Sequence, residues 1–366
     1  MKPVMPLLLS SLTLLASLSC SESSPSLSEG DSGNTMVFTR VHEPREKAFS
    51  LLVPKGWQVE GGIFRVDPLK QGGAAQSIAA KLDFTVKKDS AGTVLMRWLP
   101  DLLYFDPRYS PAAQMGLLPV GSNYNGMLVC PLMPAARFIR EMAFPYAHPQ
   151  ARNLNVAGNK ALTEVAGNYQ RRVNQFFPQM GFQYDAALSE MTYHDGGVEY
   201  EEKMVVVIED WGRVGAGIWG NKETVLMRAP RAEFKKWEAV FSIIQNSVKI
   251  DPRWLSGEIR GQLQRGQIAL DTQQEIQRIG QEIATHRQKT NAEIHNDMFL
   301  TLTDQEEFVN PYTNEIDVGS NQWKYRWVNE SGDVVYTDNE SYNPNVDIRL
   351  NRSDYKKTPV RKRFPQ

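Results

Sequence analysis

The residues with the most chemical promise are Trp323, Tyr325 and Trp327, in the run QWKYRW. Successive side chains of an extended strand alternate between faces. This spacing therefore predicts three aromatics on one face, with Lys324 and Arg326 on the other. Buried, the rings would form the core of a small unit, since aromatics dominate such cores; this is the default expectation. Exposed, they would stack on sugar rings or pack on a partner, with the two cations meeting an anionic polymer. The three aromatics are thus the ligand-binding candidates. A second grouping, Gly215-Ala216-Gly217-Ile218-Trp219-Gly220, fits G-x-G-x-x-G and follows the apolar run VVVIED. A dinucleotide site needs such glycines to open a helix, so that backbone N–H groups meet the pyrophosphate. Here NKETVLMRAP follows and reads as strand or turn, so the glycines are expected to let a strand bend or pack closely.

The remaining reactive side chains argue against catalysis. The five histidines, His42, His148, His194, His286 and His295, form no H-E-x-x-H or comparable metal pair. His286 and His295 fall on roughly opposite faces of a helix. Cys130 sits in MLVCPLM and reads as a buried structural thiol, because a nucleophilic cysteine needs an electropositive, partly exposed setting. No G-x-S-x-G elbow or Walker motif occurs. No catalytic residue, metal or cofactor is expected.

The first residues bear on location. Lys2 gives a short positive region, and residues 7–18 form an apolar run broken only by Ser10, Ser11, Thr13 and Ser17. That run is too short to span a bilayer, which takes roughly 20 apolar residues; it matches a secretory signal peptide, residues 1–19. Cys20 follows. Its placement resembles the lipobox of bacterial lipoproteins, which implies lipidation of its thiol and anchoring there. The lipobox prefers an aliphatic residue three before the cysteine, where this chain has Ser17. Ser17 and Ser19 also satisfy ordinary signal cleavage, and the alternative is a secreted form. Residues 20–35 are rich in Ser, Gly and acidic residues, the composition of a flexible tether. With Cys20 lipidated, Cys130 would have no internal disulfide partner. A net charge of −1 argues against nucleic-acid binding.

Beyond the tether, residues 36–252 are expected to form an α+β domain, an antiparallel sheet flanked by helices. Short β-rich runs are punctuated by the Pro54-Lys55-Gly56 turn and by Gly61-Gly62. Residues 77–87 read as a strand, and 98–150 as a packed irregular insertion with a short helix opened by Pro134. Residues 161–177 have helical periodicity. Two strand-like runs around Asp195-Gly196-Gly197 make the clearest hairpin signal, since glycine supplies the positive φ of tight hairpin turns. Phe234, Trp237, Phe241 and Ile244 mark a helix with one buried face. The opening SLLVPKGWQ and closing FKKWEAVFSIIQNSVKI resemble the PsbP/Mog1/DcrB-type α+β fold. The resemblance implies an envelope setting and a mostly non-catalytic role, and transfers no site residues.

Residues 253–298 are Gln-rich, with a thin apolar stripe through Leu255, Ile259 and Leu263 and then Ile276, Ile279 and Ile283. They read as a long polar helix laid along its own domain, or as a seam for self-association. Residues 299–348 read as a small β unit with Asn-Pro, Gly-Ser and Ser-Gly-Asp turns, and 349–366 as a basic disordered tail. The resulting expectation is a cell-envelope lipoprotein, anchored to a bacterial membrane through Cys20, outer membrane or periplasmic face in a Gram-negative host. It would act as a non-catalytic binding or assembly module for an envelope protein or polysaccharide. The alternatives are a secreted or anchored cell-wall hydrolase and a structural oligomer built on residues 253–298.

Overall fold

A computed structural model describes residues 35–67, 69–70, 75–109, 118–176, 181–212, 215–265 and 305–360. The signal, Cys20, most of the tether, residues 266–298 of the Gln-rich segment and 361–366 lie outside the described residues. The chain opens with β1 (Met36–His42), β2 (Phe49–Pro54), β3 (Gln58–Phe64), β4 (Lys81–Lys87), β5 (Leu95–Leu99), β6 (Leu103–Phe105), β7 (Asn123–Tyr124) and β8 (Met127–Val129). A helical segment follows: α1 (Ala135–Phe138), a π turn (Ile139–Ala143) and α2 (Phe144–Ala147). Next come β9 (Arg152–Ala161), α3 (Thr163–Phe176), β10 (Gln183–Asp195), β11 (Val198–Asp210), β12 (Ile218–Pro230), α4 (Phe234–Asn246), β13 (Lys249–Ile250) and α5 (Pro252–Arg265). The chain closes with β14 (Gln305–Val309), β15 (Ile316–Ser320), β16 (Tyr325–Val328), β17 (Val334–Thr337) and β18 (Lys356–Lys357). The architecture is α+β.

The larger sheet runs β3-β4-β5-β12-β11-β10-β9, with β6 beside β12 and β8 beside β6. Its pairs are antiparallel except β6–β8. The β10–β11 hairpin pairs in unbroken register from Asp195↔Val198 to Gln183↔Asp210. Gly196 and Gly197 both have positive φ, as a two-residue turn of that hand requires. Its centre is apolar on both faces, and so MVVVI is a continuous run rather than an alternating one. Val205 and Val207 face a core shared with α3, α4 and the second sheet. Met204, Val206 and Ile208 face a second core covered by α1, the π turn and α2. The 98–150 stretch is therefore the cover of one sheet face.

The helical segment owes its shape to two prolines. Pro134 has the extended conformation of an N-cap, and the Asp185 carboxylate accepts the Ala135 N–H from the neighbouring strand. Pro145 has no N–H to donate to Glu141, and its ring would clash with that carbonyl in a regular helix. The chain widens here, and the Phe144 N–H bonds Ile139 O, five residues back.

The second sheet runs β13-β2-β1-β17-β16-β18. Only part of the expected small β unit stands on its own: β14 and β15 pair with each other, while β17 pairs with β1 as Phe38↔Val334. The expectation of disorder from residue 349 is corrected over 349–360. Lys356 and Lys357 pair with Val328 and Trp327, Tyr355 is buried, and Val360 bridges Phe308. Apolar anchors at Tyr355 and backbone pairing outweigh the basic composition. At α5, Asp251 caps the first turn by accepting the Arg253 and Trp254 N–H groups. Leu255 and Ile259 are buried, and Glu258 bonds Arg65 and Ala80 N–H. The described turns thus lie on their own domain.

Candidate functional site

The face of the larger sheet under the α1–α2 cover carries two recesses. They abut along β5, whose alternation points Leu95, Arg97 and Leu99 to this face. The first is a slot of about 430 Å³ lined by Leu99, Leu103, Tyr104, Leu128, Phe138 and Met142, with Gln76, Ser122, Asn123, Asn221 and Thr224 as polar wall residues; Ser122 donates to Pro119 O and Asn123 accepts the Gly126 N–H. That volume lies in the range of small-molecule sites. A β-bulge helps build it. The β11–β12 register shifts between Val207 and Ile208, whose partners are Glu223 and Asn221, leaving Lys222 as the extra residue. The bulge turns Asn221 to the same side as Thr224. Asn221 then donates to Pro100 O and Thr224 Oγ1 and accepts the Leu102 N–H. Gln76 likewise exchanges two hydrogen bonds with the Leu103 backbone. These wall groups spend their hydrogen bonds on the protein, so the slot presents an apolar surface. Gly220 permits the close approach of β6, since a Cβ there would stand 2.6 Å from Leu102 O.

The second recess, about 570 Å³, is charged. Arg45, Lys87, Arg97 and Arg228 face it with Glu60, Asp83 and Asp195, four cations against three carboxylates. Asp83 takes Arg97 through Nε and Nη2, each at 2.9 Å, the paired geometry that makes arginine–carboxylate contacts strong. Burial alone would lower the Arg97 guanidinium, but the Asp83 contact holds it above its ordinary value. Lys87 pairs with Glu60 at 2.5 Å. Tyr146 marks the divide: it lines the slot, its hydroxyl donates to Asp83 Oδ2 at 3.1 Å, and Arg97 lies over its ring at 5.7 Å. Burial, then the Asp83 charge, raises its phenol. Half of Tyr146 is exposed, as is more than a third of Leu128.

Behind the charged recess lies a buried polar cluster. His148 Nε2 stands 2.6 Å from Glu202 Oε2, to which Tyr193 donates at 2.8 Å. Arg228 meets Asp195 at 3.0 Å, donates twice to Gly92 O, and lies 4.4 Å over the Tyr200 ring. Burial and the neighbouring Glu202 carboxylate push the Tyr193 phenol far up, so it stays a neutral donor. On the far side of the bulge, burial pushes the Lys81 amine down to about 8, with Asp101 opposing and Lys222 adding. Among the described residues no group of histidine, cysteine and carboxylate ligands could hold a metal ion.

The sequence-derived candidates fall elsewhere. Cys20 lies outside the described residues. Trp323, Tyr325 and Trp327 do not share a face. Regular alternation begins only at Tyr325, and the inward residues of β16 are Arg326 and Val328. Trp323 precedes the strand in a turn and is buried against Tyr336, ring centroids 5.5 Å apart. Tyr325 and Trp327 are half-buried on the opposite side, with the Lys357 ammonium 3.8 Å and 5.8 Å from their ring centroids. Arg326 faces inward because Asp317 meets it at 3.0 Å and the Phe308 and Tyr336 rings flank it. The glycines at 215–220 lead into β12 with no helix behind them, as the strand reading expected. Cys130 is buried and burial raises its thiol. Sequence reasoning missed the groups that line the recesses, Tyr146, Arg97, His148 and Arg228. Their signal was charged residues, Arg97, Glu202 and Arg228, at positions that alternate in phase with apolar inward residues.

No family model and no curated protein matches the chain. Among solved structures, the solution structure of cyanobacterial PsbP (CyanoP) from Synechocystis sp. PCC 6803 is similar over 61% of this chain and 98% of its own. The identity is 10% and the TM-score 0.25. No helix among the described residues is long and apolar enough to cross a membrane.

Proposed function

We propose that the chain is a non-catalytic binding module of a bacterial cell envelope, held to a membrane by lipid on Cys20, and that its ligand enters the slot beneath α1–α2. The observation that carries the reading is the slot itself. It is preformed, its polar walls are satisfied internally, and Leu128 and Tyr146 leave apolar surface at its mouth. Apolar surface left in water at a concave site favours binding, at about 25 cal/mol per Å² covered. The anchor rests on the leader, Cys20 and the tether composition. The PsbP/Mog1/DcrB-like assignment belongs to the same proposal and rests on SLLVPKGWQ and the closing helix.

The test is uptake of a neutral, polarity-sensitive naphthylamine dye by the purified full-length protein. The expected result is saturable binding, weakened at least about tenfold by Leu128→Asp with unchanged thermal stability, since a charge at the mouth must lose water as the dye enters. No uptake, or uptake indifferent to Leu128, overturns the slot. Intact mass and membrane partitioning, beside Cys20→Ala, test the anchor. A wild type without lipid mass removes it.

A further inference from the structure

We propose that the slot and the charged recess together hold one amphipathic molecule, its alkyl chain in the slot and its carboxylate head on Arg97. The inference rests on the slot reading above and adds the head group and its partner. Three observations carry it. The recesses are contiguous, because Leu99 lines one and Arg97, two residues back on the same face of β5, lines the other; Tyr146 and Ala147 repeat the pattern on the cover. The two halves differ in kind, as the slot has no unspent polar group on Gln76 or Asn221, whereas cations outnumber carboxylates in the recess. Arg97 stands where they meet, and its side chain and that of Asp83 are each about a quarter exposed, so solvent and solute reach the pair.

Asp83 acts as an internal stand-in for the head. Its carboxylate fills the Arg97 fork through Nε and Nη2 and accepts the Tyr146 hydroxyl, as the carboxylate of a long-chain acid would. An entering head competes for that fork while the alkyl chain covers Leu99 and Leu128. A neutral head of the same length has nothing to offer Arg97. A short carboxylate has nothing to offer the slot. The deeper Arg228 is committed to Asp195 and Gly92 and does not contact the head; the cation in excess of the three lining carboxylates is Arg45.

The experiment uses the full-length protein and the naphthylamine dye, displaced by dodecanoate, dodecanol or butyrate below any micellar concentration. For the wild type, dodecanoate is expected to displace dye about tenfold better than dodecanol, the scale of one charge-assisted hydrogen-bond pair, with butyrate inert. Arg97→Met abolishes the preference, while Asp83→Asn, which frees the fork, widens it several-fold. Arg97→Lys, keeping charge without the fork, replaces Arg97→Met should that variant fail to fold, and it is expected to retain only part of the preference. Equal displacement by dodecanoate and dodecanol, or a preference untouched by either substitution, overturns the head-group assignment while leaving the slot intact. Absence of dye uptake in the wild type overturns the slot reading itself.

Discussion

Arg326 and Arg97 each meet an aspartate, and the contrast between them separates a structural charge from an available one. Arg326 is inside, beside Asp317, with aromatic rings flanking it and almost no solvent access. Arg97 meets Asp83 in a better paired geometry, yet both lie open to a recess. A buried pair owes its retention to the cost of breaking it, since either partner alone is an uncompensated charge away from water. A pair about a quarter exposed is partly screened by water and gains less from its Coulomb term, and solute can reach it. Charge thus ties the separate β14–β15 pair to β16 of the second sheet, through Asp317 and Arg326, while the larger sheet keeps it at a cavity wall.

The sharpest way to break this contrast is Arg326→Met. It is expected to cost about 3 kcal/mol in denaturant unfolding, because Asp317 loses its most buried partner and is left with Asn310 and the more exposed Lys249, 3.5 Å away. A loss below about 1 kcal/mol would place Arg326 in the same class as Arg97. Gly220→Ala tests the larger sheet where β6 crosses β12. A Cβ there meets Leu102 O at 2.6 Å, and a cost of about 1–3 kcal/mol is expected from overpacking, with weakened dye uptake because the slot wall shifts.

The acid response sharpens the comparison. Burial would raise the Asp317 carboxyl, but Arg326, Lys249 and Arg40 together hold it below its ordinary value. A carboxyl depressed in the folded state binds its proton more readily when unfolded. Its stabilisation is therefore full above the unfolded value, about 3.9, and lost as pH falls through the folded one. Melting temperatures from pH 6 to pH 2 should show wild type and Asp317→Asn converging in acid; a constant gap would contradict this. Arg97→Met, the partly exposed counterpart, is expected to cost about 1 kcal/mol, well short of Arg326→Met. Lys357→Met should be smallest, about 0.5–1 kcal/mol from the lost contacts over Tyr325 and Trp327, read by thermal denaturation.

Elements specified by neighbours in sequence were legible. The Asp195-Gly196-Gly197 turn sits between two strands that pair in register. Residues 163–176 and 234–246 are helices, and Phe234, Trp237, Phe241 and Ile244 are buried as their spacing requires. The reading of Trp323, Tyr325 and Trp327 on one face failed. Strict alternation was extended two residues before the strand begins, and an inward arginine contradicts the polar-out rule unless its partner Asp317 is known.

By itself, then, the sequence determined the local turns, the amphipathic helices and the α+β class, through proline, glycine and the periodicity of apolar side chains. Tertiary structure alone decided that β17, some three hundred residues away, would pair with β1, and that residues 135–147 would roof the larger sheet. It also decided that Arg97, Asp83 and Tyr146, from three separate segments, would meet at the junction of two recesses. The reason is physical. Backbone geometry and side-chain period act over a few residues, whereas a charge or an apolar face gains its meaning from whatever distant segment removes it from water or leaves it there.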